Sequence, residues 1–148
     1  MSLNRLYQEM ILEHNKNPRN FKDLLDHTHY SHGHNPLCGD DFIVMIKVEG
    51  DVIEKIAFTG EGCAISKASG SLMTQALKGK SISDVVKIKD QFIDLVTKDD
   101  SEKDLLGKLI VFEGVKQYPV RVKCAALVWR ALEDALNNKD SMHLVSTE

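Results

Sequence analysis

Long apolar runs, a surplus of charge of one sign and an even set of cysteines are all missing from this 148-residue chain, and each absence excludes a class of function. No stretch approaches the roughly 20 consecutive apolar residues of a membrane-spanning helix. The opening Met-Ser-Leu-Asn-Arg-Leu-Tyr-Gln-Glu lacks the apolar segment of a secretory signal. A cytoplasmic protein with no membrane role is therefore expected. The 19 Lys and Arg are scattered among 22 Asp and Glu, for a formal net charge of -3, so the electrostatic footprint of a nucleic-acid binder is absent. Three cysteines, an odd number, fit a closed disulfide framework poorly and suit reduced thiols better. No internal repeat or low-complexity linker divides the chain. With 43% apolar residues it can bury a core as one domain spanning 1–148.

Periodicity gives the elements. Leu3, Leu6, Met10 and Ile11 recur at helical spacing over residues 3–15, and Asn17-Pro18-Arg19-Asn20 supplies a stop. Phe42, Val44, Ile46 and Val48 fall on one face at strand spacing, with Lys47 and Glu49 pointing away on the other. Gly50-Asp51 then turns the chain into Val52–Thr59, where Ile56 and Phe58 share a face; the two runs predict an antiparallel hairpin. The polar segment His27–His34 is a weaker candidate for an edge strand. After Gly60-Glu61-Gly62 the period changes to that of a helix (Ile65, Ala68, Ser69, Leu72, Ala76) ending at Gly79. Further helices are expected over Ser81–Val96, Ser101–Phe112 and Val122–Asn137, with Pro119 just before the last helping to define its start. Residues 139–148 lack a pattern and read as a flexible tail. This order predicts an α+β fold: a small antiparallel sheet of about three strands, with helices packed on one face.

The cysteines fall at element ends. Cys38 precedes the first long strand, Cys63 follows the second, and Cys124 opens the last helix. In an antiparallel hairpin the start of one strand and the end of the next lie together, so Cys38 and Cys63 are expected to be neighbours. Asp40, two residues after Cys38, adds a carboxylate. Three sulfurs and one oxygen suit tetrahedral zinc, and thiolate-rich sites also suit iron-sulfur clusters. A helix N-terminus lowers the pKa of Cys63, and the same effect with the nearby cations Lys123 and Arg121 is expected to lower that of Cys124.

A plainer reading stands beside this one. Isolated cysteines are often small buried hydrophobes, no Cys-x-x-Cys pair is present, and Cys124 lies in register with the apolar stripe of its helix. Asp40 and Asp41 fit a solvated turn, and Lys123 and Arg121 fit surface charges. His27, His29, His32 and His34 fit either a second metal patch or a polar edge strand or loop.

Leu37-Cys38-Gly39-Asp40, Gly60-Glu61-Gly62-Cys63-Ala64-Ile65-Ser66 and Val122-Lys123-Cys124-Ala125 resemble, in order, the motifs of the U-type iron-sulfur assembly proteins, the IscU/SufU/NifU N-terminal family. The likeness runs from the opening helix to the last. Scaffolds of the IscU branch carry a histidine immediately before the last cysteine, where this chain has Lys123, and lack an added segment that here spans about Phe92 to Gly114. Both departures resemble the SufU branch.

That resemblance implies a zinc-bound, sulfurtransferase-like sulfur acceptor. It takes persulfide sulfur from a SufS-type cysteine desulfurase and passes it to downstream cluster-assembly or acceptor proteins. It carries zinc ligation onto Cys38, Asp40, Cys63 and Cys124, sulfur acceptance onto Cys38, and a supporting role onto Arg121. One alternative is a scaffold holding iron or a nascent [2Fe-2S] cluster on the same residues. A second, from another class, is a structural zinc domain that only binds partners. A cysteine enzyme using Cys124 as nucleophile lacks a histidine base nearby in sequence.

Overall fold

The computed structural model describes residues 3–137 and the backbone of residues 144–146. Helix α1 (Leu3–Lys16) buries Ile11 and His14, and the amide of Asn17 closes its last turn on the carbonyl of Glu13 at 2.8 Å. Strand β1 (His29–Asn35) leads through a tight turn into β2 (Asp40–Glu49), which pairs antiparallel with both β1 and β3 (Val52–Glu61). The predicted hairpin is thus β2–β3, with a register shift at Lys47/Val48. The histidine-rich segment is a strand. A short β4 (Leu144–Ser146) pairs parallel with β1, giving the order β3-β2-β1-β4, so β1 is flanked on both sides and is not the edge strand expected. Strand β4 lies within the tail expected over 139–148; positions 138–143 and 147–148 lie outside the described residues.

Alternation along β2 and β3 sends Phe42, Val44, Ile46, Ile56 and Phe58 to one face, where they join the main core with α2 (Ala64–Leu77), α3 (Ile82–Thr97) and α4 (Pro119–Asn137). The helices do pack on that face. The opposite face carries a small cluster, Leu24, Met45 and Ala57, with Tyr30 and Ile43 against it. Helix α2 is central, and its small residues Ala68, Ser69, Gly70 and Ser71 are all buried. Helix α4 brings Trp129 to stack on Phe92 with ring centroids 4.4 Å apart. The indole Nε1 donates to the Ser69 hydroxyl at 3.1 Å, and that hydroxyl donates to the carbonyl of Ala125 at 2.7 Å. Ser81 caps α3 by accepting the amide of Asp84. Among the described residues, no helix is long and apolar enough to cross a membrane.

The helix expected over Ser101–Phe112 is corrected. Residues 101–106 are irregular, and a 3₁₀ helix runs from Gly107 to Gln117. The reason is a period of three: Leu106, Leu109, Phe112 and Val115 are all buried, and that spacing puts side chains on one edge of a 3₁₀ helix.

Candidate metal centre

The sheet brings the first two donors together. Asn35 faces Asp40 across β1–β2, and Asp41 faces Glu61 across β2–β3, so the β1–β2 turn and the exit of β3 share one sheet end. In the turn, the amides of Cys38 and Gly39 both donate to the carbonyl of Asn35, at 3.3 and 2.9 Å. Cys38 is half-buried at its tip, beside an exposed Leu37.

Asp40, the first residue of β2, is fully buried. Its Oδ1 accepts the backbone N–H of Cys63 at 2.8 Å. Its Oδ2 accepts the hydroxyl of Ser66 and lies 3.8 Å from Cys63 Sγ. Cys63 is the N-cap of α2, with extended φ/ψ of -71° and 166°, and its sulfur accepts the amide of Ser66 at 3.4 Å. The orphan donors at a helix N-terminus favour negative charge on that sulfur.

Cys124 reaches the same point from α4. It is buried, with its Sγ 3.4 Å from Cys38 Sγ. Cys38, Asp40 and Cys124 offer ligand atoms that all lie within 4.8 Å of one another. Cys63 stands beside that trio, through its contact with Asp40. Three of the four predicted donors therefore converge, from a turn, a strand end and a helix, and Cys63 lies beside them, 3.8 Å from the Asp40 carboxylate.

The thiols are strongly coupled. Cys63 is pulled down to about 6 by the hydrogen bond from Cys124, with further help from the hydroxyl and amide of Ser66, against burial acting the other way. Cys124 is pushed up, because it donates to Cys63, is buried and also touches Cys38. The expected lowering of Cys124 is thus overturned. The helix starts at Pro119, so Cys124 lies inside it rather than at its N-terminus. Burial and the donated hydrogen bond then outweigh the neighbouring cations.

Arg121 stays outside the donor cluster. It is exposed, with its guanidinium 4.4 Å over the ring of Tyr118. The two residues border a cavity of about 400 Å³ that also takes in Leu3, Tyr7 and Val115. Tyr7 has a buried hydroxyl without a hydrogen-bond partner among the described residues. Its pKa is raised by burial, which outweighs the opposing pull of Arg121, and Cys63 and Cys124 add to the rise. Sequence reasoning assigned no role to Tyr7 or to Ser66. The signal for Ser66 was its place three residues after an N-cap, where its amide and hydroxyl are bound to meet the capping side chain.

The pattern of the NifU-like N terminal domain matches residues 6–125 of the chain. The zinc-dependent sulfurtransferase SufU of Bacillus subtilis (strain 168) is 39% identical over 140 residues, covering 94% of this chain and 95% of that protein. The iron-sulfur cluster assembly scaffold protein IscU of Streptococcus pyogenes serotype M1 is 37% identical over 144 residues, covering 96% and 90%. A crystal structure described as an iron-sulfur cluster assembly scaffold protein for the SUF system, from Fervidobacterium islandicum AW-1, superimposes with a TM-score of 0.84 at 32% identity. That match covers 90% of this chain and 98% of the other.

Proposed function

This chain belongs to the NifU-like N-terminal domain family, and on that premise we propose that it serves iron-sulfur cluster assembly as a zinc-bound acceptor of persulfide sulfur. The donor is a SufS-type cysteine desulfurase, the receivers are downstream cluster-assembly or acceptor proteins, and the setting is the cytoplasm. The observation that carries this reading is the convergence of Cys38, Asp40 and Cys124 within 4.8 Å, with Cys63 at 3.8 Å from Asp40. Three sulfurs and a buried carboxylate, drawn from separate elements, fit a zinc ion as ligands. When bound, zinc keeps thiolates deprotonated at neutral pH without redox chemistry.

The chain's own residues divide the work. Cys124 is buried in α4 and Cys63 is tied to the α2 N-terminus, so both act as fixed donors. Cys38 sits half-buried in a four-residue turn between β1 and β2, where a change in the turn alone moves it outward. It is the sulfur acceptor. Its thiolate attacks the outer sulfur of the desulfurase persulfide: a sulfur–sulfur bond forms at Cys38, the bond within the enzyme persulfide breaks, and the enzyme cysteine leaves as thiolate. The proton on the transferred sulfur travels with it, and no external oxidant or reductant is needed. Arg121, exposed near the donors, supports docking rather than ligation.

The test is alanine production by a cognate cysteine desulfurase, given cysteine and reductant, with and without the zinc-loaded protein. A multi-fold rise, lost in Cys38→Ala and Asp40→Ala, is expected; no rise would shift the reading away from sulfur acceptance. A second reading, a scaffold for a [2Fe-2S] cluster on the same residues, draws on the 37% identity to the protein named as an IscU scaffold. It predicts a coloured cluster after anaerobic reconstitution that transfers to an acceptor protein.

A further inference from the structure

Ser66 is fully buried in the first turn of α2, among the predicted donors. With Cys63 as N-cap, Ser66 is the third helical residue, and the two have the spacing of a capping box. In that motif the cap side chain takes the amide of the third residue, and the third side chain reaches back to the cap amide. Here the first half is present, with the amide of Ser66 donating to Cys63 Sγ at 3.4 Å. The second half is supplied by another element. Asp40 Oδ1, on β2, accepts the Cys63 amide at 2.8 Å, and the Ser66 hydroxyl donates to Oδ2 of the same carboxylate. Asp40 thus completes the helix cap with both of its oxygens.

The hydroxyl has one proton and three acceptors within reach. Besides Asp40 Oδ2, Cys63 Sγ lies 3.4 Å from Ser66 Oγ and the carbonyl of Cys124 lies 3.1 Å away. Ser66 therefore touches β2, α2 and α4, the elements that carry Asp40, Cys63 and Cys124. The amide of Cys63 engages Oδ1 alone, and the other neighbour of Oδ2 among the described residues is Cys63 Sγ, at 3.8 Å. The bond from Ser66 is thus the contact that fixes how the second oxygen is turned. The Cys124 carbonyl leaves the hydroxyl a partner when that oxygen turns to a cation. Hydrogen bonds of this kind orient the ligands of a metal, and losing one costs roughly 10–100-fold in affinity.

We infer that Ser66 is a positioning residue of the metal centre: its hydroxyl holds the Asp40 carboxylate turned towards Cys38 and Cys124, so that the oxygen ligand is in place before an ion arrives. The role rests on the zinc-site reading of Cys38, Asp40, Cys63 and Cys124, and it holds whether or not Cys38 accepts sulfur.

The test is zinc affinity of the full chain, by competition with a chromophoric chelator. Ser66→Ala is expected to weaken zinc about tenfold or more. In an Asp40→Ala background the same substitution is expected to cost less than about twofold, because the hydroxyl then has no carboxylate to orient. Ser69→Ala, one turn further along α2 with its hydroxyl between Trp129 and Ala125, is expected to leave zinc affinity unchanged. With Co²⁺ in place of zinc, Ser66→Ala is expected to keep the sulfur-to-metal charge-transfer intensity while its ligand-field bands shift, the signature of a disturbed oxygen ligand on intact thiolates. Undiminished zinc affinity in Ser66→Ala would overturn the role, and so would an equal loss in the Asp40→Ala background. If Ser66→Ala does not fold, the Co²⁺ bands of Ser66→Thr decide: that variant keeps the hydroxyl, unshifted bands are expected, and a shift would overturn the role. An unsubstituted protein without zinc affinity would overturn the zinc site and the role of Ser66 together.

Discussion

The backbone N–H of Cys63 donates to Oδ1 of Asp40 at 2.8 Å, so the carboxylate that faces the sulfurs also fixes the loop that delivers one of them. Asp40→Ala removes two functions at once. In metal-free protein it leaves the Cys63 amide without this acceptor and strips the Ser66 hydroxyl of its carboxylate partner, at a cost of about 1–3 kcal/mol. Asp40→Asn keeps an oxygen acceptor and is expected to recover most of that cost without restoring zinc affinity. Urea denaturation in chelator measures the first effect, and zinc competition the second. Equal stability of the two variants would contradict the dual role.

Coupling between the thiols predicts how the metal-free protein responds to pH. Cys63 is held at about 6, against an ordinary value of 9.0, so it is a thiolate at neutral pH, while Cys124 remains protonated. A group whose pKa is depressed on folding adds stability that is fully present above its unfolded pKa and is lost as pH falls through the folded one. For Cys63 that window runs from about 9 down to about 6. Stability of the metal-free protein is expected to fall across it on acidification, with a shallower fall in Cys63→Ser. Alkylation of Cys63 by iodoacetamide, resolved by mass spectrometry, is expected to show a midpoint near the same lower value. A midpoint near 9 would remove the hydrogen bond from Cys124 as the organising contact.

Metal removal is expected to reach the whole fold, because the donors come from β2, α2, α4 and the β1–β2 turn. If zinc contributes about 3 kcal/mol to a domain of this size, chelation lowers Tm by roughly 6–12 °C. Calorimetry before and after verified zinc removal checks it. An unchanged Tm would mean that the protein, not the ion, holds the donors in place.

The buried chain from Trp129 through Ser69 to Ala125 gives a contrasting prediction, confined to stability. Ser69→Ala leaves the indole N–H without its acceptor and removes the hydroxyl that donates to the Ala125 carbonyl, both inside the core. The expected loss is about 1–3 kcal/mol, with zinc stoichiometry unchanged. Denaturant midpoints and metal analysis on the same samples separate the two readouts, and lost zinc with unaltered stability would reverse the assignment.

What could be read from the sequence was set by how strongly each feature is determined locally. Phe42, Val44, Ile46 and Val48 share one face at strand spacing, with Lys47 and Glu49 on the other, so β2 and its buried face were legible, as were α1, α2, α3 and α4 from their helical periods. The convergence of Cys38 and Cys63 at one sheet end followed from hairpin geometry alone. Three things did not. The period-three burial of Leu106, Leu109, Phe112 and Val115 falls close enough to 3.6 to pass for an α-helix until the backbone is seen. β4 is a three-residue strand whose pairing depends on β1 alone. The protonation of Cys124 depends on a hydrogen bond to a residue about sixty positions away, which no local pattern encodes.

Two glycines beside the donors are expected to respond oppositely to the same substitution. A Cβ at Gly62 would lie 2.7 Å from Asp40 Oδ1 and 2.6 Å from Phe42 Cε2, and Phe42 is fully buried and has no room to yield. Gly62→Ala must therefore displace the carboxylate, and at least a tenfold loss of zinc affinity is expected, read by competition with a chromophoric chelator. Gly39 has a φ of +73° with open space around its missing Cβ. Gly39→Ala meets no atom and bears only the backbone penalty of the left-handed region, about 1 kcal/mol, so zinc affinity is expected to change little. If Gly62→Ala binds zinc as tightly as the unsubstituted protein, Asp40 is not held where the ion needs it. The sulfur ligands would then have to account for binding on their own.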